Sequence, residues 1–192
     1  MEPQIHGYRA FVDITRLARS TDAGAIAQVQ LKSWHERIPS ALQNLTLSEI
    51  ADAWEQAIVT ENSHMGRVLV VERMGIVEGF CAITFETGTP DTGSFESGRK
   101  KCELVALEVT PAQRRSTLGI RLTNAAADLA RSSGMSEIDA WLGTQEIPAQ
   151  HLLLSAGWVA SGRERTVAIE PSDGNDAVDR VEWHYTTALI DS

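Results

Sequence analysis

The residue types best suited to chemistry lie between a strand-like run and a helical run, over residues 107–120. The apolar run ends at Pro111, and two adjacent arginines, Arg114 and Arg115, precede a helical pattern that starts at Thr117. The first N–H groups of a helix lack acceptors within it and carry the positive end of its dipole. Guanidinium groups add donors suited to phosphate oxygens. The segment is therefore predicted to bind an anion, the alternative being an ordinary turn with solvated arginines.

This predicted anion cradle belongs to neither of the two common glycine-rich phosphate motifs. No GxxxxGK[ST] sequence occurs in the chain, which excludes a P-loop, and no GxGxxG occurs, which excludes a dinucleotide fingerprint. The glycine that the segment does contain, Gly119, is expected to let the backbone approach a ligand closely.

The elements around the cradle are predicted in the order β-αα-βββ-α-β-α-ββ. Apolar residues of both parities over 102–110 predict a central strand covered on both faces. The sequence Thr-Leu-Ser-Glu at 46–49 is a capping box that opens a helix. The polar stretch 86–101 predicts a long hairpin loop. The pattern is that of an α+β protein in which a mixed sheet carries helices on both faces.

Composition limits the class of protein. The chain has 192 residues, 43% of them hydrophobic, and carries 17 Lys+Arg against 26 Asp+Glu, a formal charge of −9. We expect one globular domain over 13–190 behind an N-terminal extension, 1–12.

The acidic balance argues against nucleic-acid partners, and no apolar run is long enough to predict a membrane span. No metal site is predicted, because the five histidines lie far apart. Cys81 and Cys102, within apolar runs, are expected to be reduced core thiols of a cytoplasmic protein.

Three segments resemble the GNAT superfamily of N-acetyltransferases. Residues 109–122 read Val-x-Pro-x-x-Arg-Arg-x-Thr-Leu-Gly-x-x-Leu. They are similar to the family's acyl-CoA-binding motif, a Val-x-Pro strand end followed by Arg/Gln-x-x-Gly-x-Gly/Ala. Residues 149–158 read Ala-x-x-Leu-x-x-x-x-Gly-Trp, which resembles the family's Ala-x-x-Leu-Tyr-x-x-x-Gly-Phe segment. The capped helix over 22–34 resembles its first helix, so the resemblance covers nearly the whole chain.

The resemblance implies a largely antiparallel mixed sheet of about six to seven strands and transfer of an acetyl group from acetyl-CoA to a primary amine. The amine would belong to a small molecule or a peptide, and a homodimer is an assembly common in the family. The cofactor is expected to contact residues of the strand end and the cradle: Leu107, Glu108, Val109, Arg114, Arg115, Ser116, Thr117, Leu118, Gly119 and Ile120.

Three positions depart from the family's pattern. Thr117 stands where the first cradle glycine is usual, Leu153 where a tyrosine often protonates the leaving thiolate, and Glu146 where an asparagine is frequent. A non-catalytic acyl-CoA-binding or regulatory domain of the same fold therefore stays open as the alternative function.

Attack on a thioester requires an amine that has lost its proton, which calls for a base or a water relay. Glu103 is the first candidate, because the family often places a glutamate in this part of the strand. With the period of two of a strand, Glu103 is predicted to share a face with Val105, Leu107 and Val109, where aliphatic neighbours favour a raised pKa. A salt bridge to Lys100 or Lys101 is the alternative.

Further site residues are expected at lower priority. Glu108, of opposite parity, is the second candidate base, and Tyr185 on a late strand is a candidate acid. In the family a bulge in the central strand supplies the oxyanion donors, expected here near 107–109.

Trp34 and His35, at the end of the first helix, are candidates for contact with the acceptor, and packing is the alternative for Trp34. His151 is predicted to be a surface residue. The remaining tryptophans of the fold are predicted to be structural: Trp54, Trp141, Trp158 and Trp183.

Overall fold

A computed structural model describes residues 12–37, 45–61, 66–85, 100–169 and 178–189. The predicted N-terminal extension and the predicted hairpin loop fall outside these residues, apart from Val12, Lys100 and Lys101.

Within the described residues, seven strands and four α-helices follow one another in the predicted order. They are β1 Ile14–Leu17, α1 Ala23–Arg37, α2 Leu47–Glu61, β2 Gly66–Arg73, β3 Ile76–Phe85, β4 Lys101–Val109, α3 Leu118–Ser132, β5 Glu137–Gly143, α4 Ile147–Ser155, β6 Val159–Ile169 and β7 Val178–Ala188. Short 3-10 turns precede α1, over Ser20–Asp22, and α3, over Pro111–Gln113.

The strands form one sheet in the order β1-β2-β3-β4-β5-β7-β6. Neighbours are antiparallel except β4 and β5, which are parallel. The parallel pair is joined through α3, which crosses one face of the sheet. The prediction of a mixed, largely antiparallel sheet is confirmed.

Side-chain caps fix where the first two helices begin. A carboxylate oxygen of Asp22 accepts the backbone N–H of Arg19 at 2.7 Å, and Arg16 donates to both Asp22 oxygens at 2.7 and 2.9 Å. At α2 the predicted capping box is present: the Glu49 N–H donates to the Thr46 hydroxyl at 3.2 Å, and the Thr46 N–H donates to the Glu49 carboxylate at 2.8 Å. At α2 the box satisfies an N–H group that the helix itself leaves without an acceptor, whereas Asp22 binds the N–H of Arg19 just before the 3-10 turn that leads into α1.

Two hydrophobic clusters cover the two faces of the sheet. On one face, apolar residues of α1 and α2 such as Ile26 and Ile58 pack on Val70 and Phe80. On the other face, α3 and α4 contribute the larger cluster, in which Leu122, Leu153, Trp158 and Tyr185 are buried together. The sheet is therefore covered on both faces, as the sequence predicts.

A β-bulge at Val105 changes which residues of β4 share a face. The register with β3 pairs Ala106 with Ala82 but Leu104 with Ile83, so Val105 is the extra residue. Glu103 consequently faces the side of α1 and α2, opposite the face where Leu107 and Val109 join the larger cluster. The alternation predicted from sequence is wrong at this point, and the bulge lies nearer the start of β4 than the expected 107–109.

Candidate active site

A cleft opens where the two parallel strands separate. Pairing between β4 and β5 extends only from Lys101↔Glu137 to Glu103↔Asp139, although both strands continue beyond it. The space between them is a cleft of about 810 Å³, whose lining includes Leu107, Trp141 and Leu153. A gap between parallel strands leaves backbone groups of both strands available to a ligand.

The N-terminus of α3 lies at the predicted anion cradle. The hydroxyl of Ser116 caps it, donating to the Gln113 carbonyl at 2.6 Å and accepting the Leu118 N–H at 3.3 Å. Within the described part of the chain, the N–H groups of Arg115, Thr117, Gly119 and Ile120 have no hydrogen-bond acceptor. Such unsatisfied donors at a helix start are suited to phosphate oxygens.

Backbone strain in the cradle falls on Arg115 rather than on Thr117. Arg115 has φ of +63°, in the left-handed region that costs a residue with a Cβ about 1–2 kcal/mol. Thr117 has φ of −76° and ψ of −2°, ordinary right-handed values, so the turn tolerates its Cβ. The position at which the backbone itself favours glycine is therefore Arg115.

Gly119 has a packing role that the sequence did not predict. A Cβ at this position would come within 2.9 Å of Cδ2 of Leu152 on α4. Gly79 on β3 has a similar role beneath α3, because a Cβ there would lie 2.9 Å from the Glu108 carbonyl oxygen and 3.2 Å from Leu122. Both glycines permit the close approach of α3 to its neighbours.

A polar network joins the cradle to α1 and β4. Arg114 pairs with Glu36 through Nη1, and its Nη2 donates to the Ser33 hydroxyl at 3.3 Å. That hydroxyl donates to Oε2 of Glu108 at 2.6 Å, and Trp34 Nε1 donates to Oε1 of Glu108 at 3.2 Å. The Arg114 guanidinium is therefore directed at α1, and Trp34 is held against the cleft.

Glu103 lies in the cleft at the point where β4 and β5 separate. Its Oε1 is 3.9 Å from Nη2 of Arg165, and its side chain is 31% exposed. Lys101, one of the two expected partners, contacts Glu137 at 2.8 Å and Asp139 at 3.7 Å. Burial by itself would raise the pKa of Glu137, but the hydrogen bonds from Lys101 and Thr186, together with the positive charge of Lys101, outweigh it and lower this pKa.

Three neighbouring strands add polar and aromatic groups that sequence analysis did not select. The Arg165 guanidinium carbon lies 4.4 Å from the centroid of the Trp141 ring. His184 packs on the same ring at 4.7 Å, and its Nε2 is 3.4 Å from Oδ2 of the buried Asp139. Trp141 was predicted to be structural, but it lines the cleft. The sequence could have indicated Asp139, because it is an acidic residue in the part of β5 that pairs with β4. No feature of the neighbouring sequence distinguished Arg165.

Tyr185, His35 and His151 do not line the cleft. Tyr185 is 3% exposed within the larger cluster, and burial raises the pKa of its phenol. His35 and His151 are exposed side chains and are not among the residues that line the cleft. Leu153, at the family's tyrosine position, is buried and contributes to the cleft wall. Of the three candidate catalytic residues, Glu103 and Glu108 line the cleft and Tyr185 does not.

The described ranges contain no group of three or more His, Cys, Asp or Glu side chains able to hold a metal ion. In the same ranges, every helix is too short or too polar to cross a membrane.

The structure combines a cleft between diverging parallel strands with a helix N-terminus whose open N–H groups suit a phosphate-bearing ligand. Residues 29–158 match the family model described as the acetyltransferase (GNAT) family. The chain belongs to this family, which uses acetyl-CoA as its acetyl donor. Comparison with curated proteins gives no match.

Solved structures share the fold at low sequence identity. One is yncA from Salmonella typhimurium, solved with its cofactor acetyl-CoA, with 22% identity, a TM-score of 0.63 and coverage of 94% of this chain and 96% of that one. A ribosomal-protein-alanine N-acetyltransferase from Brucella melitensis has 20% identity, a TM-score of 0.68 and coverage of 91% and 99%. An N-acetyltransferase from Staphylococcus aureus Mu50 has 16% identity, a TM-score of 0.65 and coverage of 93% and 99%.

The residues present fit acetyl-CoA. The open N–H groups at the start of α3 suit a pyrophosphate, and the separation of β4 from β5 leaves room for an extended chain in the cleft. Thr117 does not obstruct this arrangement, because its backbone is unstrained.

Proposed function

We propose that the protein is an N-acetyltransferase that acetylates a primary amine of a small molecule or a peptide. The observation that carries this proposal is the carboxylate of Glu103 in the cleft, at the point where the parallel strands separate. Acetyl-CoA bound in the cleft would supply the activated acetyl group.

We assign the cradle to the pyrophosphate of the cofactor. The open N–H groups of Arg115, Thr117 and Gly119 would donate to its oxygens, and the Arg115 guanidinium would add positive charge. Arg114 would contribute mainly by holding the cradle against α1 through Glu36 and Ser33. The separated backbone of β4 at Leu107 and Val109 would hold the rest of the carrier.

Glu103 would accept the proton of the acceptor amine at one of its carboxylate oxygens, directly or through water. An ammonium cannot attack a thioester, so this transfer must precede the attack. An acid is less necessary than a base, because a thiol with a pKa near ~8.5 leaves readily as its anion. The burial of Tyr185 in the core is compatible with a site that works without a tyrosine acid.

A non-catalytic acyl-CoA-binding domain is the second candidate. It is favoured by one observation: among the described residues that line the cleft, none is a tyrosine. Titration with acetyl-CoA followed by measurement of free thiol separates the two functions. Both predict binding, but only the transferase releases CoA faster when an amine is added. Binding without amine-dependent release would overturn the transferase assignment.

We further propose that residues 13–190 form one domain, supported by the single sheet that includes strands from Ile14 to Ala188. A cytoplasmic location is proposed because Cys81 and Cys102 are buried free thiols.

A further inference from the structure

A cationic side chain of the protein itself occupies an aromatic and acidic site in the cleft. The Arg165 guanidinium carbon lies 4.4 Å from the centroid of the Trp141 ring. The same guanidinium contacts Oε2 of Glu182 at 2.8 Å and Oε1 of Glu103 at 3.9 Å. All four residues line the cleft. An aromatic face flanked by carboxylates stabilises a cation by quadrupole and charge interactions.

The described lining of the cleft is also negatively charged as a whole. It contains five carboxylates, Glu103, Glu108, Glu146, Asp179 and Glu182, and two guanidinium groups, Arg165 and Arg180, a formal charge of −3. A concave site with one sign of charge concentrates ligands of the opposite sign.

This charge does not suit an acceptor whose only cation is the reacting amine. Nearby carboxylates stabilise the ammonium form and raise its pKa, which opposes the loss of the proton before attack. The charge assists the reaction only if it binds a different cationic group and holds the reacting amine in place. A molecule with two positive groups can place one of them among the carboxylates and still present the other as the amine that loses its proton.

We propose that the acceptor carries, besides the amine that is acetylated, a second cationic group, an ammonium or guanidinium, that takes the place of the Arg165 guanidinium on the Trp141 ring. This inference rests on the proposed function, and it narrows the acceptor to diamines, amino sugars with several amines, or basic peptides. An acceptor with a carboxylate in this position would face Glu103 and Glu182 and bind poorly.

Arg165 can leave this position at low cost. Its side chain is 42% exposed, so the guanidinium can move to solvent on the outer strand β6. Glu182 keeps a cation after the exchange, since Nε of Arg180 lies 3.2 Å from its Oε1. The exchange replaces one cation by another and leaves no buried charge without a partner.

Three probes of equal chain length test the proposal: 1,4-diaminobutane, butylamine and 4-aminobutanoate, which end in a cation, a methyl group and a carboxylate. Their binding to the full chain saturated with CoA is measured by calorimetry. We expect the diamine to bind about tenfold more tightly than butylamine, and 4-aminobutanoate to bind most weakly.

Substitutions test whether the Trp141 ring causes the preference for the diamine. Arg165→Met should tighten diamine binding because it vacates the cation position, whereas Trp141→Leu should remove the preference for the diamine over butylamine. Arg163→Met is the matched control on the same strand, since the Arg163 guanidinium is more distant from the ring, at 5.6 Å, and is not among the cleft-lining residues. Diamine binding no tighter than that of butylamine, or undetectable, in both the wild type and Arg165→Met overturns the proposal.

Turnover with the same probes separates this inference from the proposed function. Acetylation of butylamine or 4-aminobutanoate as fast as the diamine overturns the second-cation requirement and leaves the transferase intact. If acetyl-CoA binds but no amine of a wide panel releases CoA, the proposed function fails, and the acceptor role of the cation position fails with it.

Discussion

Glu103 and Glu108 lie on the same face of the sheet, although their odd spacing along one strand would place them on opposite faces. The bulge at Val105 adds one residue between them and restores the parity. Both carboxylates line the cleft, but they are held differently. Glu108 accepts hydrogen bonds from Ser33 at 2.6 Å and Trp34 at 3.2 Å, whereas Glu103 lies 3.9 Å from Arg165.

Glu103→Gln tests the assignment of the base. The substitution keeps the shape of the side chain and removes its basicity. We expect kcat/KM at neutral pH to fall by about 10²–10⁴-fold while the Kd for acetyl-CoA is unchanged. The rate of the variant should recover as pH rises toward the pKa of the acceptor, ~10.4 for a lysine-type amine. At such a pH the amine is already deprotonated in solution and needs no base.

Glu164→Gln, on the exposed part of β6, is the control for loss of one negative charge. This control should change neither kcat/KM nor the Kd for acetyl-CoA. An equal loss of activity at every pH in Glu103→Gln, together with weaker acetyl-CoA binding, would show that Glu103 is structural.

Substitution of Arg115 by glycine or by alanine separates strain from charge. Both changes remove the guanidinium, but only glycine relieves the left-handed backbone at φ +63°. Arg115→Gly should therefore be more stable to thermal or urea unfolding than Arg115→Ala by about 1 kcal/mol. Equal stability of the two variants would mean that this φ is not kept in solution.

Removal of both arginines tests the cradle. Arg114→Ala combined with Arg115→Ala should weaken CoA binding by about 1–3 kcal/mol, the range for hydrogen bonds to charged groups. Calorimetry with CoA and with a CoA analogue lacking the pyrophosphate makes the test specific, since only binding of intact CoA should weaken. Unchanged affinity for CoA would remove the arginines from the site.

Gly79→Ala tests the close packing of α3 on the sheet. The new Cβ would meet the Glu108 carbonyl oxygen at 2.9 Å, a backbone atom that can move only with β4. We expect a loss of about 1–3 kcal/mol in the free energy of unfolding. The control is Gly24→Ala in the first turn of α1, where the Cβ meets nothing within 4 Å. Helix propensity should make that variant more stable by up to about 1 kcal/mol. A neutral Gly79→Ala would contradict the packing.

Asp22→Asn tests the ion pair before α1 through its pH dependence. Hydrogen bonds from Arg16 hold the pKa of Asp22 below its ordinary value. A lowered pKa in the folded state stabilises the protein fully above the unfolded pKa, near ~3.9. That stabilisation is lost as pH falls through the lower folded value. The variant should be less stable by about 1–3 kcal/mol at pH 7, and the difference should shrink in acid. A difference independent of pH would contradict the ion pair.

Local signals sufficed for the order of the elements and for the helix that starts at the predicted cradle. The capping box at Thr46 and Glu49 forms as predicted, because its groups lie within one helical turn. The anion cradle depends on contiguous residues at a strand end and a helix start, so a sequence pattern can specify it. The predicted reduced state of Cys81 and Cys102 agrees with their burial as free thiols. Burial raises the pKa of Cys81 to about 12.

Only the tertiary structure decided which side chains share the cleft. The bulge at Val105 depends on how β4 pairs with β3, and one extra residue reverses the faces of everything beyond it. Trp141, Arg165 and Glu182 come from three different strands. The β5-β7-β6 order brings Arg165 and Glu182 next to Trp141. The amino-acid sequence by itself determined the family, the element order and the helix N-terminus at the predicted cradle, because these depend on neighbours along the chain. The set of side chains that line the cleft depends on contacts between distant strands, which no local pattern records.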